Sequence, residues 1–138
     1  MGGKLIDEGG ADLLAWYLKN VQTSRGADEL YLGLYTNTAE PVQSATLASG
    51  LAELSLGGYT RIQLLDADWT IASQIATNQE KTFTATVDWG NIYGYFICNI
   101  ISGTAGELIF VEHFSTGPFN VLDTKTIDVT PKITAVSV

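Results

Sequence analysis

Along most of the chain apolar and polar residues alternate with a period of two, and the alternating runs are cut short by Gly, Ser and Pro. Phe83, Ala85, Val87 and Trp89 share one side of such a run, with Thr82, Thr84, Thr86 and Asp88 on the other. Successive side chains of a pleated strand point to opposite faces, so this spacing predicts a half-buried β-strand. Thr126-Ile127-Asp128-Val129-Thr130-Pro131-Lys132-Ile133 repeats the pattern. Pro131 has no amide hydrogen for a ladder, which puts that strand at an edge or on a bulge. Leu30, Leu32 and Leu34 alternate with Tyr31, Gly33 and Tyr35, predicting a strand with an apolar face and a less strictly polar, aromatic one. From Ile92 to Ile100 both faces are apolar, as expected in the middle of a sheet covered on both sides, and Gly94 leaves room for close packing there.

Gly57-Gly58 opens Tyr59 to Leu65, and Asp66-Ala67-Asp68 separates it from Trp69-Thr70-Ile71-Ala72, predicting two strands or one bulged strand. Ser102-Gly103-Thr104-Ala105-Gly106 reads as a hairpin loop into Glu107 to Phe114, Ser115-Thr116-Gly117-Pro118 as a turn, and Phe119-Asn120-Val121 as a short strand. Between Thr36 and Gly58 neither period holds, and a connection of that length is expected to be functional or interfacial. Near the N-terminus the period lengthens: Leu14, Tyr17, Leu18 and Val21, widened by Leu13 and Trp16, form the stripe of an amphipathic helix of about three turns. Asp7, Glu8 and Asp12 stand at its start, Lys19 and Arg25 towards or past its end, and Gly26 is its stop, the polarity that complements a helix dipole. The stripe is expected to cover an edge or open face of the β domain, with partner docking as the alternative. The whole predicts an all-β fold, a single antiparallel β-sandwich of jelly-roll type with about seven or eight strands and one N-terminal amphipathic helix. Residues 1–26 form the N-terminal segment and 27–138 the β-sandwich domain.

Composition adds one constraint on the surface. The chain of 138 residues is 46% hydrophobic but only 16% charged, against about 25% in typical soluble domains. Ser, Thr, Asn, Gln and Gly take the place of charge, and such a surface costs less to desolvate in a protein contact. An obligate oligomer or assembly component is expected. The net charge of -8, pI near 4.3 and seven scattered basic residues argue against a nucleic-acid partner. No apolar run is long enough for a membrane span, and no secretion or lipid-anchor signal is present, so synthesis in a reducing cytoplasm is expected.

Candidate chemistry is sparse. His113 is the only histidine, and in a strand Glu112 and His113 point to opposite faces. Cys98, alone and between Ile97 and Asn99, reads as an inert core thiol. Asp66-Ala67-Asp68 superficially resembles a cation loop but lacks the remaining ligands of an EF-hand. Glu107, Glu112, Asp123 and Asp128 form a glycosidase pair only if the fold brings two of them within roughly 5 to 9 Å. Gly57-Gly58 has no Lys-Ser/Thr tail to hold phosphate. Trp69, Trp89 and Tyr59 are candidates for a sugar-stacking platform, with core packing favoured for Trp89. No catalytic, cofactor-binding or metal-ligating residue is assigned, no cofactor is expected, and the chain is not expected to be an enzyme.

The ordered set Gly57-Gly58-Tyr59, Trp69, Tyr93-Gly94-Tyr95-Phe96, Glu112-His113-Phe114, Gly117-Pro118-Phe119 and Ile127 to Ile133 resembles small virion structural proteins of tailed bacteriophages over Leu30 to Ile133. These are packing and turn motifs, so the resemblance implies a structural role in the virion. A capsid decoration (cement) protein that stabilises the head shell by bridging major capsid subunits is the first expectation. Its partners would be itself, as a homotrimer, and the major capsid protein or other virion proteins. A tail, baseplate or fibre component is the runner-up, and a carbohydrate-binding module the alternative of another class.

Overall fold

A computed structural model describes residues 3–19 and 27–134, apart from the side chains at 15–17 and 19. In chain order the elements are β1 (Lys4–Leu5), helix α1 (Asp7–Lys19), β2 (Leu30–Tyr35), β3 (Ile62–Leu64), a 3-10 turn (Asp66–Asp68), β4 (Thr70–Ala72), β5 (Ile75–Thr77), β6 (Lys81–Thr84), β7 (Gly90–Ile92), β8 (Gly94–Cys98), β9 (Leu108–His113), β10 (Phe119–Val121), β11 (Thr126–Val129) and β12 (Lys132–Thr134). Among the described residues the fold is all-β with one α-helix, near the N-terminus, and every strand pair is antiparallel.

Its frame is a five-stranded sheet in the order β1-β9-β8-β2-β3. All five residues of β8 are buried, which follows from its place between β9 and β2, with apolar side chains on both faces. Leu30, Leu32, Leu34, Leu64, Tyr95, Ile97 and Phe110 point into the larger core. Tyr35, Phe96, Cys98, Leu108 and Val111 point to the opposite face. The buried run read from Ile92 to Ile100 is divided, however. Ile92 pairs with Phe119 in another layer, and Tyr93 carries the chain across, donating to the Tyr35 carbonyl at 3.1 Å and accepting from Phe114 at 2.8 Å. Gly94 makes the crossing possible: a Cβ there would lie 2.2 Å from the Glu112 carbonyl oxygen and 2.3 Å from the Tyr35 ring.

The second layer is an interrupted ladder in which β5, β6 and β7 run against β12, β11 and β10. Isolated hydrogen bonds bridge the gaps: Asn78 to the Pro131 carbonyl at 2.9 Å, Ala85 to Lys125 at 2.9 Å, and Trp89 to Val121 at 2.8 Å. Twelve short strands among the described residues therefore replace the seven or eight expected. Pro131 falls in one gap, as its missing amide hydrogen requires. At the other, the chain bows out around Thr86 to Asp88, where Thr86 donates to the Gly57 carbonyl at 3.3 Å and the Trp89 indole donates to the same oxygen at 2.8 Å. Val87, expected on the core side with Phe83 and Trp89, is instead 42% exposed.

The remaining face of the sheet is covered by the segment that lacked a period. Ala45 and Leu47 join Ile6, Tyr35, Phe96 and Val111 in a second core cluster. Hydrogen bonds from Thr36 to Ala52 and from Leu54 to Leu34, at 2.8 and 3.0 Å, tie the segment to the end of β2. Part of this segment thus serves as internal cover, because an aromatic sheet face is not left to water, while more than half of residues 36–58 are exposed.

Helix α1 meets the sheet through its first turn. A Cβ on Gly9 would lie 2.4 Å from the Ile109 carbonyl oxygen; Glu8 accepts from the Leu108 amide at 3.0 Å and Asp7 donates to the Gln43 carbonyl at 3.0 Å. Leu13, Leu14 and Leu18 are 48%, 59% and 71% exposed. They do not cover the β domain as the stripe predicted, since close approach at glycine fixes the helix by its start. Val21, Arg25 and Gly26 lie outside the described residues, as do the side chains of Trp16, Tyr17 and Lys19.

Candidate functional site

The densest polar cluster is built where the segment preceding β3 passes the β8–β9 loop. A bridge between Tyr35 and Glu53 sets Glu53 beside the end of β2, and Arg61, immediately before β3, turns inward, its side chain only 2% exposed. Arg61 Nη2 donates to Glu53 Oε2 at 2.6 Å and Nε to Oε1 at 2.9 Å. Nη1 reaches the Ile100 carbonyl and Nη2 the Gly103 carbonyl, each at 2.9 Å. The guanidinium also stands 5.4 Å from the centre of the Phe96 ring. Tyr59 donates to Glu53 Oε1 at 2.7 Å and accepts from the Leu34 amide at 3.1 Å; burial and the Glu53 charge push its phenol well above the usual range.

Beside this cluster lies an open depression of ≈ 620 Å³ bordered by Glu53, Tyr59, Thr60, Arg61, Ile101 and Gly103. A fork of donors spent on one carboxylate and two carbonyls has little left for a ligand. The cluster locks two loops together and holds no nucleophile with an adjacent base. Its anchor, Arg61, escaped sequence reasoning. The signal that could have found it is a lone arginine inside an alternating strand of a charge-poor chain.

The residues weighed in the sequence are scattered. His113 packs between Tyr35 and Tyr93, ring centroids at 6.0 and 5.9 Å, with Nδ1 3.1 Å from the Tyr35 hydroxyl. Glu112 points to the other face, where Oε1 accepts from the Gly3 amide at 3.1 Å and lies 3.3 Å from the Tyr95 hydroxyl. Cys98 is wholly buried, and burial pushes its thiol up. Asp68 pairs with Lys81 at 3.7 Å and accepts from Gln79 at 3.2 Å; Asp128 accepts from the Thr82 hydroxyl at 2.5 Å. Among the described residues no three His, Cys, Asp or Glu side chains are grouped to hold a metal ion. Trp89 is 4% exposed, Tyr59 lies against Phe83 and Trp89, and Trp69 packs on the same core, so the three aromatics form no exposed platform for sugars.

In a comparison with protein families, the model of the podophage GP4 fiber I protein gp80 family matches residues 6–135. The chain belongs to this family. As a gp80-family member it is a phage virion structural protein, and its place is the virion. The match takes in the helix, the four strands β9, β8, β2 and β3 of the large sheet, and the ladder as far as β12, leaving out β1. The family supports the fibre or tail reading better than decoration of the head shell. No curated protein matches the chain. No helix among the described residues is long and apolar enough to cross a membrane.

Proposed function

We propose that this gp80-family protein is a fibre or tail-associated component that acts by holding other virion proteins, including copies of itself, and catalyses no reaction. The observation that carries the reading is the family match over nearly the whole chain. Two features support it. The polar side chains that chemistry would need are engaged with one another inside the fold, Arg61 with Glu53 and Lys81 with Asp68. The charge-poor surface also presents exposed apolar residues, such as Leu18, Ile71 and Ile101, which favour contact with protein.

The test is to separate purified virions into heads and tails and to follow this protein by peptide mass spectrometry and antibody-gold labelling. It is expected with the tails, and labelled particles should carry gold at the tail end. Recovery with tail-less heads, together with binding of the purified protein to expanded shells, would instead establish the cement protein expected from the sequence.

A further inference from the structure

We infer that β4 is a self-association edge, across which a second copy of this chain adds its own β4 in antiparallel pairing about a twofold axis centred on Ile71. Strands β12, β5 and β4 form a three-stranded sheet in that order. All three residues of β4 are exposed, and among the described residues nothing pairs with its outer side.

The hydrogen-bond phase of this sheet decides what the edge offers. Ser73 and Gln74, with φ of 51° and 66°, form a two-residue turn of the type I′ class between Ala72 and Ile75. Such a turn closes on a hydrogen-bonded pair, so Ala72 bonds to Ile75, Thr70 to Thr77, and the intervening Ile71 and Ala76 do not bond each other. The bond from Asn78 to the Pro131 carbonyl confirms the phase from the other side, because it turns residues 76 and 78 towards β12. The N–H and C=O of Ile71 therefore both face outward. One donor and one acceptor on one residue are self-complementary: two copies related by a twofold axis at Ile71 exchange both bonds.

Side chains agree with this placement. Ile71 stands opposite Ala76, which stands opposite Ile133, so the three share one face. Ile133 packs on the main core, whereas Ile71 is 77% exposed. The apolar row thus runs out of the domain and stops at water, and twofold pairing continues it into the row of the second copy. Charge does not oppose the approach. The protein carries -8 overall, yet residues 69–79 contain no Asp, Glu, Lys or Arg, and the edge lacks the charged or proline guards that keep edge strands apart. A strand this short buries far less than the roughly 800 Å² per partner of a standard interface, so the pairing is weak between free molecules and gains strength where copies are held close together. Being twofold, it does not close the homotrimer expected above, which would need another surface.

The test uses the full chain. Ile71→Cys and, as control, Val42→Cys place a thiol at exposed positions, Val42 being 63% exposed, while native Cys98 is buried. Oxidation at high protein concentration is expected to give a disulfide-linked dimer with Ile71→Cys and to leave Val42→Cys monomeric. Wild-type protein is expected to show concentration-dependent protection of the Ile71 amide in hydrogen exchange, and Ile71→Lys to lose all dimer in sedimentation equilibrium with an unchanged melting temperature. Equal cross-linking of the two cysteine variants, or self-association that survives Ile71→Lys, would overturn the inference.

Discussion

Arg61 shows how much a single side chain can organise without performing chemistry. Burial opposes its charge, and the hydrogen bonds it donates to Glu53, with the Glu53 charge itself among the contributors, more than offset this and hold the guanidinium firmly protonated. Removing one member of such a pair strands the other in a poorly solvated site. Arg61→Ala is therefore expected to lower stability by about 3 kcal/mol, the low end of the range for buried pairs because Glu53 keeps some contact with water. The paired change Arg61→Met with Glu53→Leu should cost much less, since neither charge is left alone. Urea denaturation of the wild type and these two variants checks this, and equal losses in the two variants would contradict a lock based on charge pairing.

At the scale of elements, the way α1 is attached has a direct consequence. The helix touches β9 through Gly9, with no room for a side chain beyond its backbone. Gly9→Val is expected to lift the helix from the sheet while the core between the large sheet and the ladder persists. Proteolysis should then cut within residues 7–19 well before the rest of the chain, and wild-type resistance in the variant would contradict the expected detachment. Strand β5 carries a lesson about legibility. The Ser73-Gln74 turn has neither Gly nor Asn, the residues that usually mark a positive-φ turn, so the sequence offered no punctuation between Ala72 and Ile75. The missed hairpin is the element that presents Ile71.

For the molecule as a whole, three tyrosines couple stability to alkaline pH. Burial above all, with nearby carboxylates, pushes the phenols of Tyr35, Tyr59 and Tyr95 above their ordinary value of 10.0. Up to that pH folded and unfolded chains both hold the protons, and their contribution is fully present. Above it the unfolded chain releases them while the folded one keeps them, so stability falls as pH rises, by at most about 1.4 kcal/mol per pH unit for each phenol. The urea midpoint should begin to drop near pH 10, and Tyr35→Phe should make the fall shallower. A midpoint unchanged up to pH 11.5 or so would show that these phenols titrate alike in both states.

What the sequence determined by itself was the class of the molecule. Period-two alternation, a short period-3.6 stretch and the scarcity of catalytic residue types define local geometry and chemical inventory, and these depend only on neighbours along the chain. Hence the all-β fold and the N-terminal helix were legible, while the virion role was legible only through the resemblance of the packing and turn motifs to phage structural proteins. Three things were decided only in three dimensions. Tyr93 switches the chain between layers because Gly94 admits the Glu112 carbonyl and the Tyr35 ring. Arg61 becomes a lock because Glu53 and the 99–106 loop converge on it. Ile71 becomes an open edge because hydrogen-bond phase, which no residue carries alone, turns its amide and carbonyl outward. Alternation fixes which face a side chain takes, but contacts between distant segments settle which faces find cover and which strand is left unpaired.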